Sequence, residues 1–168
     1  MNYLKKADDF LLKNKKVVEY LVRFLILSLP IILIVNINLY HVQSAYAWIN
    51  NFLLKVLGIN AASFDSFSAS GLSPSLYYNE KIVRIDSACT GIRSFYLLFA
   101  MIFAFRADFG KKFRYLAIGA LAIMVVNILR ILISSILFFN GIMGFDSIVW
   151  SASLNLTAFA VVYFFVRN

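Results

Sequence analysis

YLAIGALAIMVVNILRILISSILF, residues 115–138, is an apolar run of 24 residues that carries an asparagine, Asn127, and an arginine, Arg130, in its interior. As an α-helix rising 1.5 Å per residue it exceeds the ~30 Å hydrocarbon thickness of a bilayer. An arginine inside such a span costs at least ~2.5–3.5 kcal/mol unless it is paired or hydrated, so by default it marks function. Three more apolar stretches have similar character: residues 17–39, interrupted by Arg23 and Pro30, then 89–105 and 148–166. The predicted fold is an all-α membrane protein, a single domain over residues 1–168 built as a bundle of about four transmembrane helices.

Composition agrees. Hydrophobic residues make up 62% of the 168 and mean hydropathy is +0.82, against roughly 45–50% apolar usage in soluble domains. The net charge of +8 is read as topology, because the basic residues lie beside apolar stretches rather than in a nucleic-acid-binding patch. Six lysines and arginines fall in residues 1–23, four in 106–114 and one at Arg167, against Lys55, Lys81, Arg84 and Arg93 on the other side. That excess predicts a multi-pass protein of the plasma membrane with both termini in the cytoplasm. The lone cysteine, Cys89, excludes an internal disulfide and leaves a free thiol. No metal or cofactor is expected.

Between the first two spans, residues 44–60 place apolar and polar residues near helical spacing, with Tyr46 and Trp48 suited to an interfacial belt and Gly58 as a stop. The segment reads as a helix lying on or dipping into the membrane. The loop 61–88 is extracytoplasmic in this topology. It has turn formers at Ser70-Gly71 and Ser73-Pro74 and an alternating run from Lys81 to Asp86, which reads as a short hairpin.

Helical rise brings three polar groups to one depth. Counted from Phe138, Arg130 lies roughly 12 Å below the outer boundary; counted from Phe105, Cys89 lies about 24 Å above the cytoplasmic one; counted from Ile148, Asn155 lies about 10 Å below the outer one. A thiol at a helix N-terminus beside arginine is driven toward the nucleophilic thiolate. Arg93, four residues from Cys89, is expected on the same helix face. Either Arg93 or Arg130 holds the thiolate, and the other binds a substrate carboxylate or an oxyanion. Asn155 can donate to an oxyanion but is no base. His41, the only histidine, follows the first span at the external interface, where solvation and a part in catalysis are both open to it.

Ala88-Cys89-Thr90-Gly91-Ile92-Arg93-Ser94, followed by Asn127-Ile128-Leu129-Arg130-Ile131, resembles the exosortase/archaeosortase family of multi-spanning cysteine transpeptidases. The resemblance covers residues from about 80 to 160. It implies Cys89 as nucleophile, Arg130 and Asn127 as the arginine and asparagine of the second motif, and a third polar residue on the last span. Members carry histidine, arginine or asparagine there; here Asn155 is best placed, with Ser151 one turn above it. Pairing with an arginine then stabilises the thiolate enough for the thiol to ionise, or His41 supplies the base that takes its proton. The implied substrates are exported proteins with a C-terminal recognition motif, transmembrane helix and basic tail. They are cleaved through a Cys89 acyl-enzyme and passed to a membrane lipid or other surface acceptor, with the site toward the extracytoplasmic face. The competing reading is a non-catalytic membrane scaffold in which Arg130 binds a partner's carboxylate.

Overall fold

The computed structural model describes residues 15–30, 39–68, 71–142 and 148–167, with the side chains of 68, 87, 88 and 148–152 left aside. Helix α1 (Lys15–Ser28) is followed by α2 (Tyr40–Val56), strands β1 (Ala62–Ser68), β2 (Gly71–Tyr78) and β3 (Lys81–Arg84), and a 3-10 turn (Ser87–Thr90). Helices α3 (Ile92–Ala104), α4 (Phe109–Phe139) and α5 (Ile148–Arg167) complete the chain. The expected stretch 17–39 is helical through Ser28, and its residues 31–38 lie outside the described set.

Helix α4 contains the opening run and is the one described helix long and apolar enough to cross a membrane, while Ile92–Ala104 and the described part of α5 are shorter apolar helices. Its polarity is inverted relative to a soluble helix. The buried stripe includes Gly119, Asn127 and Ser135, whereas Leu121, Val125, Leu129 and Ile133 are exposed. Exposed apolar side chains continue over α1 (Leu21, Leu25) and α5 (Leu156, Phe159), a surface that a protein in water does not keep.

The expected hairpin is β2–β3, closed by Asn79 and Glu80 at φ 47° and 63°, the doubly positive geometry that matches strand twist. The all-α expectation is corrected by β1, which pairs antiparallel with β2 from Ala62–Tyr77 to Ser68–Gly71 and makes a three-stranded sheet. Its sequence hides it: Phe64 and Phe67 are an odd number of residues apart, so they fall on opposite faces and produce no apolar alternation. The expected turn at Ser73-Pro74 is also corrected, since both residues lie within β2. Pro74 is tolerated because β3 pairing ends at Ser75–Arg84; beyond it the Pro74 carbonyl accepts from the Ile85 N–H at 2.9 Å, and a proline N–H is not missed there.

Two cores share α4. One joins Leu98, Met101 and Ile102 of α3 with Ile123 of α4 and Leu154, Ala158 and Phe165 of α5. The other joins Tyr46, Ala47 and Leu54 of α2 with Leu76, Ile85, Ile131 and Phe139. The sheet is pinned to the end of α4 by Lys81, whose Nζ donates to the Phe138 and Phe139 carbonyls at 3.3 and 2.9 Å. A cation there satisfies carbonyls that the ending helix leaves open and faces its negative pole. Asn127 lies between Ile123 of one core and Ile131 of the other, one helical turn from each.

Candidate functional site

Cys89 does not begin a long helix. It occupies the 3-10 turn, Gly91 follows at φ 70° and ψ 6°, and α3 starts at Ile92. Only glycine adopts this left-handed backbone readily, and space demands it as well. A Cβ on Gly91 would lie 3.3 Å from Ile123 Cγ2 and 3.6 Å from Asn127 Cγ, so the Thr-Gly step lets the turn press against α4.

That break corrects the expected pairing of Cys89 with Arg93. The two residues are four apart but not on one helix, and Arg93 is exposed. What faces the turn instead is α4. Asn127, fully buried, donates from Nδ2 to the Cys89 carbonyl. Cys89 packs against the core that contains Ile131, as Ile128 and Leu132 of α4 also do. Arg130, half-buried, follows Asn127 by three residues and so lies on the same flank of α4. The described ion pairs all involve Glu19, and none reaches Arg130.

The turn also sits at the positive end of α3. The Ile92 N–H approaches Thr90 Oγ1 at 3.4 Å, and the Phe95 N–H closes the first helical bond to the Gly91 carbonyl at 3.0 Å. The remaining N–H groups of this first turn and the helix dipole favour negative charge near the thiol. Before the turn, the Cys89 N–H is held by the Asp86 carbonyl at 2.8 Å, and the Asp86 carboxylate accepts from Ser73 Oγ at 3.4 Å.

Asn155 reaches this level through another residue: its Oδ1 accepts from Ser94 Oγ at 3.2 Å, joining α5 to the first turn of α3. The side chain of Ser151 lies outside the described residues. His41 is not part of the cluster. It is exposed in the first turn of α2, its ring edge-on to Tyr40 at 5.7 Å, roughly 160° of helical rotation from buried Gln43 and on the opposite face.

The missed residues are on α2, and the expected interfacial-belt place of Tyr46 is corrected, because its side chain is buried against the core. Its buried face carries Gln43, Tyr46, Asn50 and Asn51, and its exposed face carries Trp48, Phe52 and Val56. Tyr46 places its hydroxyl against the Asn127 side chain. Gln43 Oε1, Asn50 Oδ1, Asn127 Oδ1 and Ser135 Oγ are buried with no hydrogen-bond partner among the described residues. Acceptors buried this way are ordinarily satisfied by ordered water. The signal was the polar repeat Gln43, Tyr46, Asn50 at helical spacing, which in an apolar surround points inward.

A family model described as transmembrane exosortase matches residues 13–166. No curated protein and no solved structure matches the chain.

Proposed function

The chain belongs to the transmembrane exosortase family, and we propose on that premise that it is a cysteine transpeptidase cutting the C-terminal sorting signal of exported proteins at the extracytoplasmic face of the membrane. The observation that supports the reading is the hydrogen bond from Asn127 to the Cys89 carbonyl, which ties the backbone of the turn before α3 to the α4 residue three positions before Arg130.

In this mechanism the Cys89 sulfur attacks the substrate's backbone carbonyl carbon. The Arg130 guanidinium first stabilises the Cys89 thiolate and, as charge passes to the carbonyl oxygen, holds the tetrahedral oxyanion, a term worth about 10²–10³ in rate for a comparable donor. Collapse breaks the C–N bond; the departing amine takes the proton lost by the thiol, relayed through water, and a thioester remains on Cys89. A second nucleophile, a lipid amine or water, attacks the thioester, completes the transfer and returns the proton to sulfur. Asn155 supports the site through Ser94, and four membrane crossings with both termini cytoplasmic place the turn in the outer leaflet.

The test is co-expression with a reporter ending in motif, apolar helix and basic tail, drawn from the proteins encoded beside this chain. Cys89→Ala and Cys89→Ser both leave the chain in the membrane and accumulate uncut reporter. Reporter still cut in either variant contradicts the proposal and favours the scaffold reading.

A further inference from the structure

Away from the sheet, α1 and the end of α3 enclose a cleft of about 600 Å³. Its floor is apolar, formed by Val17, Tyr20 and Phe105, with the Tyr20 and Phe105 rings 4.4 Å apart. Its rim is charged: Arg23 pairs with Glu19 at 2.8 Å, Arg106 pairs with the same Glu19 oxygen, and Lys16 completes the lining. Two guanidiniums therefore share a single acceptor atom of one carboxylate, with the Lys16 cation on the same rim.

This end of the molecule is joined to the basic first turn of α4 through aromatic rings that meet edge-on. Phe105 lies 5.8 Å from Phe165, and the Lys111 ammonium sits over the Phe165 ring at 4.9 Å. The cleft thus opens at the basic end of an apolar bundle, next to the exposed Val17 and Leu21.

An unbalanced guanidinium pair above an apolar floor has a specific complement. A phosphodiester accepts paired N–H donors from arginine, and an acyl chain covers the floor. A basic peptide tail is disfavoured here, since it meets three cations and a carboxylate already engaged twice. We infer that this cleft binds the headgroup of an anionic glycerophospholipid, with Arg23 and Arg106 on the phosphate, Lys16 beside it, and an acyl chain along Val17, Tyr20 and Phe105. The site is independent of the transpeptidase reading and requires only that the chain sits in a membrane.

The experiment is native mass spectrometry of the purified full chain from micelles containing equal amounts of phosphatidylglycerol and phosphatidylcholine. The wild type retains phosphatidylglycerol in preference. Arg106, 71% exposed, can be changed without disturbing the core, and R106Q lowers the preference about fivefold, the factor for one basic charge near an anionic lipid surface. R23Q/R106Q abolishes the preference, whereas R114Q, outside the cleft, leaves it intact. Equal retention of the two lipids by the wild type, or an unchanged preference in R106Q, overturns the inference. Displacement of the lipid by millimolar glycerol 3-phosphate also overturns it, by assigning the cleft to a free phosphate ester.

Discussion

At the residue scale, Asn127 holds the backbone at Cys89, whereas Cys89 and Arg130 are the groups to which the proposal assigns the chemistry. Asn127 acts on a carbonyl, so its loss removes that hydrogen bond; N127A is expected to cost about 0.5–1.5 kcal/mol of stability, read by thermal unfolding in detergent, along with slowed reporter cleavage. His41, exposed on the far face of α2, has no such part, and H41A is expected to cleave reporter at the wild-type rate. The motif Asn127-x-x-Arg130 was legible as a pair but not as two jobs, because only the folded turn shows which atom Asn127 meets. Arg93 misled for a related reason: spacing of four implies a shared face only if the helix is continuous, and Gly91 at φ 70° interrupts it.

At the element scale, α2 was legible as a helix ended at Gly58, whose φ of 83° bears out its reading as a stop. Its orientation was not legible. An amphipathic repeat has the same period whether its polar face meets water or protein, and only packing against α4 and the 3-10 turn turns Gln43, Tyr46 and Asn50 inward. The consequence is that Trp48 and Phe52, stacked at 6.4 Å and exposed, face lipid. With Trp150 replaced by phenylalanine, Trp48 fluorescence is expected to be quenched by brominated lipid acyl chains and spared by aqueous iodide; the reverse pattern contradicts this orientation. Strand β1 escaped the sequence because an aspartate and a serine separate its two phenylalanines.

At the scale of the whole molecule, α4 carries both cores, and the site lies where they meet. The approach of α3 and α5 to α4 depends on Gly119, where an added Cβ would stand 2.3 Å from Leu98 Cδ2 and 3.1 Å from Val161 Cγ1. Leu98 is fully buried, so G119A is expected to lower stability by about 1–3 kcal/mol, measured by thermal unfolding, with the thiol's surroundings in the other core less affected. The central claim is that this framework holds Cys89 where Arg130 activates it. Because Cys89 is the only cysteine, its alkylation by iodoacetamide at pH 7 in the intact chain reports that activation without any substrate. The account predicts a rate at least about tenfold higher in the wild type than in R130Q, since a cation beside a thiol favours the thiolate; equal rates in the two proteins would contradict it.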